Sequence, residues 1–355
     1  MSIYVDIRKK LGSFSLEAQF EAKDETLALL GASGCGKSLT LKCVAGVEKP
    51  DSGVILVNGR TFFDSGKGVN LPPQKRKVGM LFQNCSLFPN MTVKENILAV
   101  LTHAKNNACA DARLRSLIKR FYLESLENHY PCQLSGGQQQ RAALARMMGR
   151  EPEIIMLDEP FSALDSYLRW QLELELMKTL DGFRGTAILV SHNRDEVYRL
   201  CDKVCPMENG GAKKIYGKKE LFDNPGTLAE CMLSGCKNYS GIKKTGEKSV
   251  YAIDWETELK CAAPVPENAV FLGVRAHYVT PARDGESDNI VPCRVSRVID
   301  NLFSVIIMMS PRGIEQRGGY RGIRMELSRQ EAEGIKTGDL INIYIDPKNI
   351  VLLSE

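Results

Sequence analysis

Short, uninterrupted apolar runs recur along the first two thirds of the chain. Thr26–Leu30, Val78–Phe82, Ile154–Leu157 and Thr186–Val190 have the length expected of strands buried on both faces. Between them lie longer stretches with helical patterning, over Asp111–Glu127, Gly136–Gly149 and Ser166–Leu180. Strands alternating with helices predict an α/β domain built on a largely parallel sheet. After about residue 235 the texture changes. Val250–Ile253, Val270–Val274, Asn289–Val298, Ser304–Met309, Arg321–Leu327 and Leu340–Ile345 read as short strands separated by Gly and Pro, and only Arg329–Gly334 suggests a helical turn. This pattern predicts a small all-β barrel or sandwich. The Gly- and Lys-rich stretch Gly210–Lys219 reads as a hairpin inside the first domain. The domains expected are therefore 1–235 and 236–355.

Composition narrows the class without naming an activity. The 355 residues are 43% hydrophobic and 25% charged, as in soluble proteins with a sizeable core. No apolar run approaches the ~18–20 residues needed to span a bilayer. The opening Met1–Asp6 lacks a basic segment leading into an apolar one, so export is not expected. Lys and Arg (47) barely outnumber Asp and Glu (43), which argues against a dedicated nucleic-acid binder. Eleven cysteines form no CxxC pair, and the tightest spacings are Cys201/Cys205 and Cys231/Cys236. Scattered in this way, they read as reduced thiols rather than metal ligands.

One segment carries specific chemistry. Gly31-Ala-Ser-Gly-Cys-Gly-Lys-Ser38 matches GxxxxGK[ST], with a strand before it and a helical stretch, Lys37–Ala45, after it. Glycines let a loop wrap a phosphate closely, so that successive backbone N–H groups and the helix N-terminus point at the anion. By chance a chain of this length shows the pattern about once in a hundred, and the strand–loop–helix context lowers that further. A nucleoside triphosphate site is expected over Ser33, Gly34, Cys35, Gly36, Lys37, Ser38 and Leu39. Lys37 would neutralise phosphate charge, and the Ser38 hydroxyl would ligate Mg²⁺. Asp158 and Glu159 end a buried strand on the side where such sheets bind ligands. Asp158 is positioned to hold Mg²⁺ and Glu159 to deprotonate an attacking water, although an Asp-Glu pair there is equally often a helix-capping turn. In Leu134-Ser-Gly-Gly-Gln138, Ser135 is a plausible N-cap and the two glycines give a phosphate access to the helix end.

Taken in order, these segments resemble the ATP-binding cassettes of ABC transporters. Gly31–Ser38 is similar to Walker A, Leu134–Gln138 to the family signature and Ile154–Glu159 to Walker B. Ser162–Asp165 resembles the D-loop, Gln83 the Q-loop glutamine and His192 the switch histidine. The resemblance implies a P-loop ABC ATPase domain, and Asn289-Ile-Val291, Leu327-Ser-Arg329, Thr337-Gly-Asp339 and Pro347-Lys-Asn-Ile350 resemble the small all-β domain of the TOBE or OB-like type that ends many importer cassettes. The cassette resemblance also implies a head-to-tail homodimer. One chain would supply Lys37, Ser38, Gln83, Asp158, Glu159 and His192 to each ATP and its Mg²⁺. The other would supply Ser135, Gly136, Gly137, Gln138 and Asp165. Gln83 would contact both Mg²⁺ and the water, and His192 the γ-phosphate. Many cassettes stack an aromatic ring on adenine, for which Phe14 is the candidate and Tyr4 a weaker one; Phe14 is equally readable as core.

The same resemblance implies partners and a location. Leu87-Phe88-Pro89, in the loop after Gln83, suits docking of separate membrane permease subunits, with an external substrate-binding protein acting through them. The chain would then sit peripherally on the cytoplasmic face of the membrane. Phe63–Gly79, Lys10–Phe14, Gly235–Asn238 and Leu272–His277 resemble the ATP-binding subunits of molybdate importers. Molybdate or tungstate is thus the expected cargo, with sulfate next, then ferric iron or polyamine. Ser296, Ser304 and Ser328 are candidates for holding an oxyanion in the β domain, against a purely structural barrel. A non-transport cassette ATPase and a regulatory oxyanion sensor are the remaining alternatives.

Overall fold

The computed structural model describes all residues except 83–85, 102–106, 163, 165, 284 and 312–321, and at 107, 166 and 167 it describes the backbone alone. The described residues form two compact units, Met1–Lys218 and Lys219–Glu355.

The first unit opens with an antiparallel layer. β1 (Ser2–Leu11) pairs with β2 (Phe14–Lys23), and in β2 alternate side chains are buried, as expected of a sheet with one solvated face. β3 (Thr26–Leu30) then enters the interior with every residue buried, and feeds the phosphate loop and α1 (Lys37–Ala45). β4 (Ser52–Val57), β5 (Arg60–Asp64) and β6 (Val69–Asn70) extend the antiparallel layer outward from β1. β7 (Val78–Leu81) returns to the parallel sheet.

A largely helical stretch follows, with α2 (Val93–Leu98), α3 (Asn107–Arg120) and α4 (Gly136–Gly149). The helix expected over Asp111–Glu127 is therefore displaced. Tyr122 takes a left-handed φ of 54°, while the N–H groups of Tyr122 and Leu123 bond back to Lys119 and Ile118, which closes the helix. β8 (Ile154–Asp158), α5 (Ser166–Asp181), β9 (Thr186–Ser191), α6 (Arg194–Leu200) and β10 (Lys203–Glu208) complete the α/β alternation. β7, β8, β9, β3 and β10 lie side by side, all parallel. β8 and β9 are buried at every position, which explains their unbroken apolar sequence. The expected hairpin is present: β10 turns at Asn209–Gly210, both with positive φ, into β11 (Gly211–Ala212), and β12 (Tyr216–Gly217) also pairs with β10.

The second unit begins with α7 (Lys218–Asp223, of which Lys218 ends the first unit) and α8 (Leu228–Leu233). β13 (Asn238–Lys244), β14 (Ser249–Ala252), β15 (Thr257–Lys260) and β16 (Phe271–Val274) belong to one sheet. β17 (Val279–Pro281), β18 (Ile290–Asp300), β19 (Ser304–Pro311), β20 (Ile323–Ser328) and β21 (Leu340–Ile345) form a second. β22 (Val351–Leu353) returns to pair with β16 in the first. Trp255, Val274, Ile307, Met325 and Ile345 belong to the buried core that both sheets share. Two buried asparagines stitch backbone across this unit. Asn238 exchanges hydrogen bonds with the Arg324 backbone (2.8 and 2.7 Å), and Asn289 does so with Lys260 (2.8 and 2.6 Å) while donating to the Ile345 carbonyl (2.9 Å). A P-loop α/β cassette followed by a small all-β unit is thus the observed fold class. Arg329–Gly334 supplies one turn, closed by the Ala332 N–H on the Ser328 carbonyl. Among the described residues no helix is long and apolar enough to cross a membrane.

Candidate active site

The phosphate loop leaves β3 at its C-terminal end, the same end at which β8 delivers Asp158 and Glu159 and β9 delivers His192. Their register is fixed by parallel pairing, with Leu30 opposite Ser191 and Asp158 opposite Val190. Loops at this edge of a parallel sheet converge on one crevice. An open pocket of about 350 Å³ results, lined by Phe14, Ser33, Lys37, Ser38, Glu159 and His192, together with Gly34, Gly36 and Leu39.

Gly36 N-caps α1 at φ 103°, a conformation that strains any L side chain. A Cβ there would also press on Leu16 and Phe14, at 2.7 and 3.1 Å. Glycine thus turns the loop and lets the Phe14 ring lie against it. Phe14 packs on the hydrophobic core and also lines the pocket. Tyr4 lies on β1, paired with Glu21 and Leu56, and does not line the pocket.

Lys37 is buried, and its ammonium donates to the carbonyls of Gly31 and Ala32, each at 2.8 Å. The loop thereby closes on its own cation. Cys35 is also buried, with its sulfur 3.7 Å from the Lys37 ammonium and its N–H on the Ala32 carbonyl at 3.4 Å.

Ser38 donates its hydroxyl proton to Asp158 at 2.8 Å, and Asp158 is 3% exposed. Burial raises the Asp158 pKa above the ordinary carboxylate value, while the Ser38 hydrogen bond pulls it partly back. A hydroxyl and a carboxylate oxygen are the hard donors that suit Mg²⁺, so this pair fits that ion.

Glu159 takes φ 52° and anchors its N–H on the Val190 carbonyl, at 2.9 Å. Its carboxylate meets the Nδ1 nitrogen of the exposed His192 at 2.7 Å. This left-handed turn aims Glu159 at the pocket instead of continuing β8. Ser162 closes the turn by donating its hydroxyl to the Glu159 carbonyl, at 3.1 Å.

Ser135 caps α4, accepting from the Gln138 N–H, while the Gln138 side chain accepts from the Ser135 N–H at 2.8 Å. Ser135, Gly136, Gly137 and Gln138 do not line the pocket of their own chain. Gly137 packs on Leu164, where a Cβ would meet the Leu164 side chain at 2.7 Å. Gln83 and Asp165 lie outside the described residues.

Sequence reasoning passed over two amides. Gln140, 2% exposed, donates from α4 to the Pro160 carbonyl, directly after Glu159, and so ties the helix headed by Ser135 to the Glu159 turn. Asn96, fully buried, donates to the carbonyls of Phe88, Met91 and Thr92 (2.9–3.1 Å) and accepts from the Phe88 N–H at 2.8 Å. It pins the loop so that Phe88, 47% exposed, stands out beneath the Arg146 guanidinium at 4.9 Å. Only the GQQQR run after the signature hinted at Gln140, and nothing marked Asn96.

Residues 16–162 match the model of the ABC transporter family. The chain is 38% identical, over 82% of its length, to the sulfate/thiosulfate import ATP-binding protein CysA of Synechococcus elongatus, covering 80% of that protein. The chain belongs to the ABC transporter family. It is also 40% identical to the Fe(3+) ions import ATP-binding protein FbpC of Haemophilus influenzae, over 63% of this chain, and it spans 62% of that relative's length. Among solved structures, the dimeric ATP-binding cassette MJ0796 in a post-hydrolysis state bound to ADP and Pi superimposes with a TM-score of 0.54 at 26% identity. That match covers 61% of this chain and 99% of the other. The P-loop cassette of this ABC family member is therefore the part most widely shared.

Proposed function

We propose that the chain is the ATP-hydrolysing subunit of an ABC importer, acting as a homodimer on separate membrane permease subunits. The observation that carries this reading is the pocket at the C-terminal edge of the parallel sheet, which gathers the phosphate loop, Glu159 and His192. Lys37 would exchange its two loop carbonyls for phosphate oxygens, a stronger charge-assisted pairing. Ser38 and Asp158, with Gln83, would hold Mg²⁺, which when bound screens the phosphate charge. Glu159 would take the proton from the attacking water, and His192, already bonded to that carboxylate, would orient it and reach the γ-phosphate. Ser33, Gly34, Cys35, Gly36 and Leu39 would contribute loop contacts, and Phe14 would stack on adenine. Ser135, Gly136, Gly137, Gln138 and Asp165 of one chain would close over the ATP of the other. The post-hydrolysis dimer among the solved relatives supports this arrangement.

The exposed Phe88, fixed by Asn96 and Arg146, supports docking of the permease at the loop after Gln83. An external substrate-binding protein would act through that permease, placing the chain peripherally on the cytoplasmic face. For the cargo we infer a tetrahedral oxyanion. Molybdate or tungstate rests on the short matches in Phe63–Gly79, and no relative named above bears it. Sulfate or thiosulfate gains support from a relative aligned beyond the cassette, whereas the ferric-iron relative aligns over 63% of the chain. Sulfate therefore leads, and molybdate, ferric iron and polyamine follow. In the β unit, Ser296 donates to the Met308 carbonyl, Ser304 to Glu326 and Ser328 to Glu331. Hydroxyls already committed to a backbone carbonyl and two carboxylates favour a structural role there over oxyanion sensing.

The deciding experiment is ATPase turnover of the chain reconstituted with its permease. Stimulation by sulfate-loaded binding protein is expected; stimulation by molybdate, ferric iron or spermidine alone would reassign the cargo. Turnover that never responds to permease would refute the importer reading.

A further inference from the structure

Two pairs of cysteines lie close in sequence, and the fold treats them differently. Cys201 sits at the end of α6 and Cys205 within β10, each buried, with the Cys205 sulfur on the Lys213 carbonyl. Cys231 and Cys236 instead occupy the two ends of one helix cap. Gly235, at φ 102°, donates to the Met232 carbonyl, and the Cys236 N–H donates to the Cys231 carbonyl at 3.1 Å. This is the paired bonding of a Schellman cap, which brings the side chain three residues before the helix end against the one just past its left-handed residue. The same bonds close α3, where those positions are held by the buried pair Ile118 and Leu123. In α8 the corresponding pair is two thiols, packed in one small buried cluster with Leu353. Both sulfurs face the missing side chain of Gly273 on β16: a Cβ there would lie 2.7 Å from the Cys231 sulfur and 3.2 Å from that of Cys236. The Cys236 sulfur also reaches the carbonyls of Asn238 and Val274, at 3.2 and 3.3 Å.

We propose that Cys231 and Cys236 are a reversible dithiol–disulfide site, oxidised by exchange with a low-molecular-weight disulfide. Backbones joined by the cap bond and side chains packed in one buried cluster suit the short span of a disulfide without rearrangement of the sheet. Cys236, the less buried of the two, attacks one sulfur of the small disulfide. The S–S bond of the reagent breaks, a mixed disulfide forms at Cys236, and one small thiolate leaves and takes up the Cys236 proton. Cys231 then attacks the Cys236 sulfur and forms the internal S–S bond. The second small thiolate departs and takes the Cys231 proton. Two protein thiols lose two electrons in all, and the small disulfide gains them. Both thiols are buried, so exchange with the small disulfide awaits opening of α8 and the site oxidises slowly. The bond would staple α8 to the segment leading into β13. That strengthens an element whose first turn is bonded to Ser354, just past β22, through the Leu228 N–H.

The test uses the full chain incubated with oxidised glutathione, then acid-quenched, alkylated and mapped by peptide mass spectrometry. A Cys231–Cys236 crosslink is expected to accumulate about tenfold faster than any other protein disulfide, and to revert with excess reduced glutathione. Cys231→Ser should stop at a glutathione adduct on Cys236, while Cys201→Ser should crosslink like the parent. Circular dichroism of each variant confirms that the fold is retained. Complete alkylation of both thiols after prolonged oxidation, even in mild urea that loosens α8, overturns the proposal. So does a crosslink joining either one to a different cysteine.

Discussion

The two units satisfy their buried polar groups on different terms. In the β unit, Asn238 and Asn289 bond to backbone of other strands, an arrangement that is complete within the chain. At the edge of the parallel sheet the pairings are those of a site prepared for exchange. Lys37 is held by its own loop carbonyls, Asp158 by a serine hydroxyl, and Glu159 by an exposed histidine. Each of these partners is one that a phosphate, a cation or a water can replace. On the proposed function, the difference separates residues kept for folding from residues kept for chemistry, and it makes opposite forecasts for the two units.

The largest effect falls on turnover. Glu159→Gln removes the proposed proton acceptor while keeping the shape of the side chain, and should slow ATP hydrolysis by about 10²–10⁴-fold with nucleotide binding retained. Next comes affinity: Lys37→Ala should weaken ATP binding by about a hundredfold in calorimetry, the loss of a charge-assisted pairing worth ~3 kcal/mol. In the β unit, Asn238→Ala should instead cost stability, about 1–3 kcal/mol in denaturant unfolding, because the Arg324 backbone loses both partners. ATP affinity of that variant should stay within twofold of the parent, about 0.4 kcal/mol. A variant that loses nucleotide affinity without losing stability would erase the contrast between the units.

Asp158→Asn gives the smallest and most diagnostic shift. The folded-state pKa of Asp158 is raised by burial, so between the unfolded and folded values the native state holds the extra proton. Stability contributed by this group is therefore fully present below the unfolded pKa and is lost as pH rises through the folded one. The amide never pays that cost and still accepts from Ser38. The nucleotide-free variant should melt a few degrees, about 2–4 °C, above the parent at pH 7, with the gap closing below about pH 4. It should also lose Mg²⁺-dependent hydrolysis. An unchanged or lower melting temperature at pH 7 would remove Asp158 from the set of residues held at a cost for function.

Much of the cassette was legible because its signals are local. Thr26–Leu30 and Gly136–Gly149 run as the apolar pattern and the Ser135 cap predict, and the phosphate loop carries its conformation in its glycines. Gln140, Asn238 and Asn289 were not legible, since each bonds to backbone carbonyls that only the tertiary fold brings near; Asn96 bonds to carbonyls four to eight residues before it, but only once that irregular loop has folded back on it. The end of α3 escaped for a related reason: a tyrosine, not a glycine, takes the left-handed position there. Spacing alone also failed to separate Cys201/Cys205 from Cys231/Cys236, because a helix cap rather than sequence distance decides which thiols meet.

On the proposed function, this edge of the sheet is an ATP-hydrolysing site completed by a second copy of the chain. Size-exclusion light scattering of Glu159→Gln with ATP and Mg²⁺, alongside single-turnover hydrolysis, tests it most directly. A stable, ATP-loaded dimer that forms only with nucleotide and scarcely hydrolyses it is expected. A monomer at saturating ATP, or a dimer that hydrolyses at the parent rate, would contradict it.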